Sequence, residues 1–133
     1  MSRYLIDTSA LLTLRDDEDG AAQVADLLRR AQGQRVSCLA CFMTGMEILY
    51  RVWKDEGEQA GRLAFEQCRA LPLEWVHESD GLLERAAELK ATHRLSLADA
   101  WIAAAALEEG AVLVHKDPEL AHVDCPQQVL PYK

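Results

Sequence analysis

No stretch of the sequence approaches the roughly 18 consecutive apolar residues that a membrane-spanning helix needs. The first residues, MSRYLIDTSALLTL, also lack the features of a secretory signal, because Asp7 interrupts the apolar residues and no small-residue cleavage site follows. Low-complexity segments, internal repeats and interdomain linkers are not found either. We therefore expect an ordered, soluble, cytoplasmic protein with no membrane partner.

The sequence has fewer basic than acidic residues. The chain has 14 lysine and arginine residues against 22 acidic residues, which gives a net charge of −8. This balance argues against a passive nucleic-acid binder, because such a protein needs a basic field to attract phosphates. An enzyme is less constrained, since a bound metal ion reverses the sign of an acidic pocket.

Motifs for zinc and for nucleotide phosphates are also incomplete or missing. Cys38-Leu-Ala-Cys41 supplies half of a structural zinc site, but no second pair follows. Without a secretion signal, the four cysteines are expected to be reduced thiols in apolar positions. The histidines show no HExxH spacing, and no Walker-type GxxxxGK[ST] loop occurs.

The sequence does contain short apolar runs that alternate with segments of helical spacing. Strands are predicted at residues 4–6, 35–39, 73–76 and 112–114, with a short edge strand between 123 and 130. Helices are predicted from residue 10 and over 21–32, 42–53, 58–71, 80–93 and 97–107. Trp53, Trp75 and Trp101 lie in apolar settings and are expected in the core. This order predicts one α/β domain over residues 1–133, a three-layer α/β/α sandwich with a mostly parallel central sheet.

Two aspartates follow predicted strands directly. Asp7 comes after Tyr4-Leu5-Ile6, and Asp117 comes after the run from Val112 to Lys116. Each of them alone fits a turn residue. Together they are informative, because a parallel sheet brings such strand ends to one edge, where ligands bind and where like charges need a cation.

Two further acids lie within apolar helices. Asp99 is the only charged residue of the segment 97–107, where an unpaired charge would be costly to bury. Ser96 and Asp99 also have capping-box spacing, so a capping role stays open beside a metal role. Glu47 lies between apolar residues, with a surface position as the alternative, and Thr44 is placed to orient its carboxylate.

Four acids, Asp7, Glu47, Asp99 and Asp117, therefore predict an all-oxygen site for Mg²⁺ or Mn²⁺. Such ions polarise a phosphoryl group and lower the pKa of a bound water molecule. The predicted activity is hydrolysis of a phosphodiester bond without a serine, cysteine or histidine nucleophile.

Four segments of the chain, taken in order, resemble the PIN-domain ribonucleases, and particularly the small VapC toxins of VapBC toxin–antitoxin systems. They are Tyr4-Leu5-Ile6-Asp7-Thr8-Ser9, Thr44-Gly45-Met46-Glu47, Leu95-Ser96-Leu97-Ala98-Asp99-Ala100-Trp101-Ile102-Ala103-Ala104 and Leu113-Val114-His115-Lys116-Asp117. The resemblance spans nearly the whole chain. It implies a metal-dependent endoribonuclease that acts on RNA, forms a homodimer and is neutralised by a cognate antitoxin protein.

The resemblance also implies roles for individual residues. Asp7 and Asp99 look like the principal metal ligands, and Glu47 and Asp117 look like the other catalytic acids of the cluster. A hydroxyl from the residue pair 8–9 would support Asp7.

His115 departs from the family pattern, since it stands two residues before Asp117, where the family commonly has a small hydroxyl residue. Two interpretations remain open for it: a strand-end histidine without catalytic duty, or a group that alters water or metal binding near the site.

Two other functions also remain open. Another magnesium-dependent α/β phosphohydrolase would place acids at strand ends in the same way, although a haloacid-dehalogenase-type phosphatase would have an aspartate where this chain has Ser9. A noncatalytic PIN-like module would bind a protein partner and use its acids only as caps and turns.

Overall fold

The structure is a computed structural model, and it describes residues 1–132. Within these residues, each of the first three strands is followed by two helices. The strands are β1 (Arg3–Ile6), β2 (Ser37–Cys41), β3 (Glu74–Val76), β4 (Val112–His115) and β5 (Gln127–Val129). The helices are α1 (Thr8–Arg15), α2 (Ala21–Gln32), α3 (Phe42–Glu56), α4 (Glu58–Arg69), α5 (Asp80–Thr92) and α6 (Leu97–Glu108). A short 3₁₀ segment, not predicted from the sequence, covers Pro118–His122.

The strands form one sheet in the order β3-β2-β1-β4-β5, and every pairing is parallel. The central strand is β1, in which Leu5 pairs with Leu39 on one side and Ile6 pairs with Val114 on the other. Parallel strands need crossover connections, so their carboxyl ends all lie at the same edge of the sheet. Asp7 and Asp117 therefore leave the sheet on the same side.

Alternate side chains of the strands face two different helical layers, as the two-residue period of a strand requires. Leu5, Leu39 and Leu113 pack in a buried cluster with α5 and α6. Ile6, Cys38 and Val114 pack in a second cluster with helices α1 to α4. The predicted three-layer α/β/α class with a mostly parallel sheet is confirmed.

The sixth helix is buried on most sides, as its sequence predicts. Residues Ala103, Ala104, Ala105 and Ala106 are at most 1% exposed. Their small side chains allow α6 to lie close to the sheet, and this brings Asp99 in its first turn to the protein interior. Even α6 falls short of a bilayer-spanning segment, as do the other helices within residues 1–132.

The second strand begins later than predicted, at Ser37 instead of Arg35. The chain is still completing the turn after α2 at that point, because the Arg35 N–H donates to the Arg30 carbonyl oxygen at 2.9 Å. Gln34 has a φ of +61°, in the left-handed region. A residue in this conformation cannot continue into a strand, so pairing starts only after it.

One face of α3 remains exposed. Met46, Tyr50 and Trp53 are 57%, 48% and 40% exposed. The prediction that Trp53 belongs to the core was wrong, and the guanidinium of Arg62 instead lies 5.3 Å from the centre of its ring. This apolar surface, formed by Met46, Tyr50 and Trp53, is called the α3 stripe below.

Gly61 allows α4 to approach α3 closely. A Cβ atom at this position would lie 2.8 Å from the Leu49 carbonyl oxygen, 2.8 Å from Trp53 Cβ and 2.9 Å from the Trp53 backbone nitrogen. Two of these atoms belong to the backbone of the helix that carries Glu47. We expect Gly61→Ala to lower the free energy of unfolding by about 1–3 kcal/mol, despite the higher helix propensity of alanine. Urea denaturation measures this change.

Gly81 provides the matched control, because it is an exposed helical position in α5. A Cβ atom there would meet only Glu108 Oε2, at 3.7 Å. We expect Gly81→Ala to raise the free energy of unfolding by up to about 1 kcal/mol. Stabilisation by both substitutions would contradict the close approach of α3 and α4 at Gly61.

Candidate metal centre

Asp7 lies at the carboxyl end of β1, where its side chain caps α1, and it is 2% exposed. Its Oδ2 atom accepts hydrogen bonds from the Ser9 N–H at 3.0 Å and from the Ser9 hydroxyl. The other oxygen, Oδ1, is buried without a hydrogen-bond partner among residues 1–132. The capping role thus uses only one oxygen. The second carries the free-energy penalty of a buried, unpartnered acceptor, which a cation bound there would remove.

Ser9 connects the ends of β1 and β4. Its hydroxyl donates to Asp7 and accepts a hydrogen bond from the Lys116 N–H at 2.9 Å. Because Lys116 follows β4 directly and precedes Asp117, this one hydroxyl fixes both strand ends that carry predicted site residues.

Glu47, on α3, is oriented by Thr8. Thr8 Oγ1 donates to Glu47 Oε1 at 2.7 Å and lies 3.0 Å from Thr44 Oγ1. A hydroxyl carries one proton, and the carboxylate is the stronger acceptor, so Thr8 donates to Glu47 and receives the Thr44 hydrogen. Thr44 therefore acts on Glu47 through Thr8, and not directly as predicted.

Asp99 lies in the first turn of α6 and is 8% exposed. Its backbone N–H donates to Ser96 Oγ at 3.1 Å, which is one half of a capping box. This cap bond involves only the Asp99 N–H and the Ser96 hydroxyl. The charges of Asp7, Asp117 and Glu47 instead act on the Asp99 carboxyl group. Capping therefore does not account for the carboxyl group itself.

Asp117 follows β4 and begins the 3₁₀ segment, where its Oδ1 atom accepts from the Glu119 N–H at 3.0 Å. Carboxylate oxygens of Asp99, Asp117 and Glu119 lie within 4.8 Å of one another. Sequence reasoning missed Glu119, because nothing in an Asp-Pro-Glu sequence separates it from a surface glutamate. Its place depends on the unpredicted 3₁₀ turn.

The four predicted acids influence one another electrostatically. Burial is the main cause that raises the pKa of Asp7 to about 6; the hydrogen bonds from Ser9 oppose this effect, and the charges of Glu47 and Asp117 add to it. Burial likewise raises the pKa of Asp99 to about 8, with contributions from the other three acids. Asp7 and Glu47 therefore lie near enough to Asp99 and Asp117 for their charges to interact, while the carboxylate oxygens that lie within 4.8 Å of one another belong to Asp99, Asp117 and Glu119. The four predicted acids are called the acidic cluster below.

The donor atoms of the acidic cluster are carboxylate oxygens, which Mg²⁺ and Mn²⁺ prefer. Cys41 lies close enough for Asp7 and Glu47 to affect it, but burial, as the main cause, raises the pKa of its thiol to about 12. It is therefore a protonated thiol and not a thiolate ligand. Cys38 packs in the opposite layer, so the CxxC sequence forms no paired site.

A cavity of about 450 Å³ opens beside Ser9. Arg15, Arg51 and Lys116 contribute to its lining. Arg15 is paired with Glu56 at 2.7 and 3.0 Å. The same lining includes Asp16, Glu18, Asp55 and Glu56, so basic and acidic side chains are mixed in this cavity.

Comparisons with known proteins agree on the fold. A family model, the PIN domain, matches residues 4–125. VapBC2 from Rickettsia felis, bound to a DNA fragment from its promoter, is similar with a TM-score of 0.77, over 97% of this chain and 99% of that chain, at 16% identity. VapC20 from Mycobacterium tuberculosis, a Sarcin-Ricin loop cleaving toxin, has a TM-score of 0.73 over 98% and 100% of the two chains, at 16% identity.

A toxin–antitoxin complex from Klebsiella pneumoniae has a TM-score of 0.64 over 91% of this chain and 92% of that chain, at 23% identity. No curated protein sequence matches the chain. At these identities, the structural likeness shows the fold alone.

Proposed function

The chain belongs to the PIN-domain family, and on that premise we propose that it is a divalent-metal-dependent endoribonuclease, the toxin component of a toxin–antitoxin pair. The observation that carries the proposal is Asp7 Oδ1, a buried carboxylate oxygen without a hydrogen-bond partner among residues 1–132. Burial, together with the charges of Glu47 and Asp117, raises the pKa of Asp7 and of Asp99. A bound cation would offset both the unpartnered oxygen and the repulsion.

The proposed ligands of Mg²⁺ or Mn²⁺ are the four residues of the acidic cluster, Asp7, Glu47, Asp99 and Asp117. When bound, such an ion polarises the phosphoryl group and lowers the pKa of a water molecule. The remaining residues hold the ligands in place, since Ser9 fixes Asp7 and Thr8 fixes Glu47. A carboxylate fixed before the metal arrives needs little rearrangement to bind it.

RNA in the cytoplasm is the proposed substrate. The net charge of −8 provides no general attraction for a polyanion, so phosphate contacts must be local. Arg51, an exposed side chain in the cavity beside Ser9, is placed to supply one, whereas Lys116 Nζ is held by Glu18 at 3.6 Å and by the Asp19 carbonyl oxygen at 2.7 Å. The Mycobacterium tuberculosis VapC20, a toxin that cleaves the Sarcin-Ricin loop, shares this fold and supports a nuclease role.

The proposed protein partners are an antitoxin and a second copy of this chain. Two exposed apolar surfaces support protein binding: the α3 stripe, and a surface on α5 and α6 where Leu83 and Leu97 are 49% and 68% exposed. Contiguous apolar surfaces of this kind mark interaction sites. The Klebsiella pneumoniae neighbour is a toxin–antitoxin complex, which supports the antitoxin assignment.

The purified, antitoxin-free protein is expected to cleave RNA in the presence of Mg²⁺ or Mn²⁺. Cleavage is expected to stop in excess chelator and to resume when metal is added back. Glu47→Gln is expected to slow cleavage at least tenfold, a loss that even outer-shell changes at metal sites commonly cause. The amide keeps the hydrogen bond from Thr8 but removes the charge. Initial rates on labelled RNA measure the effect.

Glu66→Gln is the matched control, since Glu66 is an exposed acid on α4. Its rate is expected to stay within about twofold of the wild type. Cleavage in excess chelator, or full activity of Glu47→Gln, would overturn the proposed metal centre. Metal binding without RNA cleavage would point instead to a phosphohydrolase if phosphomonoesters are hydrolysed, and to a noncatalytic binding module if they are not.

A further inference from the structure

His115 is a buried ring at the end of β4, with no exposed surface (0%). Its Nδ1 atom accepts a hydrogen bond from the Asp117 N–H at 3.0 Å. Its Nε2 atom lies 2.8 Å from Oε1 of Gln127, on the edge strand β5. The ring therefore connects the edge strand to the backbone of a proposed metal ligand.

Gln127 determines which nitrogen of His115 carries the proton. Its amide nitrogen donates to the carbonyl oxygens of Leu120 at 3.0 Å and Val123 at 2.8 Å. Both amide hydrogens are thereby used, and turning the amide over would place Oε1 against two carbonyl oxygens. Gln127 Oε1 must accept, so the proton is on Nε2 of His115, and Nδ1 is left to accept from Asp117.

We propose that Gln127 and His115 are positioning residues that hold Asp117 in place for the acidic cluster, an inference that rests on the proposed function. The Asp117 N–H is held by the ring, while the Asp117 carboxylate caps the 3₁₀ segment through the Glu119 N–H. Two hydrogen bonds thus fix both the backbone and the side chain of this residue. Loss of such outer contacts at a metal site typically lowers metal affinity or activity about 10–100-fold.

A role in filling space between β4 and β5 would predict different behaviour. Filling depends on side-chain volume, in which glutamine is closer to histidine than asparagine is. Positioning depends on a hydrogen-bond acceptor at the place of Nδ1, which asparagine supplies through Oδ1 and glutamine does not. Glutamine instead supplies an amide donor near the place of Nε2.

The variants His115→Asn and His115→Gln separate these two roles. We expect His115→Asn to stay within about tenfold of the wild type in Mn²⁺ affinity and cleavage rate, and His115→Gln to lose about 10–100-fold in both. The Asp117 N–H is expected to remain protected from hydrogen exchange in His115→Asn and to exchange freely in His115→Gln. If His115→Gln equals or exceeds His115→Asn in these measurements, the positioning role is overturned.

Nitrogen NMR of the wild-type protein tests the hydrogen-bond assignment without any substitution. The His115 ring is expected to carry its proton on Nε2, and a proton on Nδ1 would overturn the proposal. Gln127→Leu is expected to mix the two tautomers and to weaken Mn²⁺ binding. Gln128→Leu, at the next position of β5 and on its other face, is the matched control and is expected to leave the tautomer unchanged.

Failure of the proposed function would give a different pattern. The wild type would then neither bind Mn²⁺ nor cleave RNA, yet its Nε2 proton and its protected Asp117 N–H would still support the positioning of Asp117.

Discussion

The Asp99→Asn variant is expected to cleave RNA about a thousandfold more slowly than the wild type, and yet to be the more stable protein at pH 7 without metal. The rate falls because a proposed principal ligand loses its charge, and several kcal/mol of lost metal stabilisation correspond to such a factor. Stability rises because the pKa of Asp99 is raised to about 8 in the fold. The carboxylate, ionised in the unfolded chain at pH 7, must therefore take up a proton to fold. An amide avoids this penalty, which is on the order of 4 kcal/mol before solvent screening reduces it.

Urea denaturation of both proteins in chelator measures the stability difference, and the same experiment in Mn²⁺ provides a second comparison. In Mn²⁺ the wild type gains the free energy of metal binding, so the difference in free energy of unfolding that favours Asp99→Asn should shrink or reverse. Glu84→Gln, at an exposed position of α5, is the matched control and is expected to change stability by less than about 0.5 kcal/mol. Lower stability of Asp99→Asn in chelator would indicate a structural role instead, and undiminished cleavage would remove Asp99 from the proposed centre.

The helices were predicted closely where the sequence marks their ends. The prediction of 21–32 matches α2 at both ends, because apolar spacing, a terminal pair of arginines and Gly33 all agree. The start of α6 follows Ser96, whose hydroxyl caps it. The boundary of β2 was less predictable, since the turn at Gln34 that delays it has no marker in the sequence.

The convergence of strand-end acids could be predicted because it depends only on parallel topology. Asp7 and Asp117 follow strands that are neighbours in the sheet, and any parallel arrangement of β1 and β4 brings them together. Their roles as metal ligands remain a prediction. Contacts that depend on rotamers were out of reach, such as the path from Thr44 through Thr8 to Glu47.

The partners of His115 could not be predicted either, since they depend on the register of an edge strand that the sequence located only between residues 123 and 130. In the structure, β5 pairs with β4 through Gln127, Gln128 and Val129. A shift of one residue would turn Gln127 to the other face of the sheet. The link between the edge strand and Asp117 is therefore a property of register, which composition and spacing do not specify.

The advantage in stability of Asp7→Asn over the wild type, measured without metal, is expected to grow as the pH rises from about 4 to 6 and then to level off. The pKa of Asp7 is raised in the fold from 3.8 to about 6. Between these values the folded wild type binds more protons than the unfolded chain does, so its stability falls as the pH rises. A shift of about two units corresponds to a loss on the order of 3 kcal/mol. The variant has no such group and provides the baseline.

Denaturation curves of both proteins across this pH range, with and without Mn²⁺, complete the test. Asp99, with a pKa of about 8, should extend the decline of the wild type to higher pH. In Mn²⁺ the dependence should reverse, because metal binding requires ionised carboxylates and strengthens as they lose their protons. A pH-independent difference between Asp7→Asn and the wild type in chelator would contradict the burial of an ionisable Asp7. If the free energy of unfolding of the wild type depends on pH in opposite directions with and without metal, repulsion within the acidic cluster destabilises the fold and metal binding relieves it. This result is expected if the fold keeps these acids together for chemistry and not for stability.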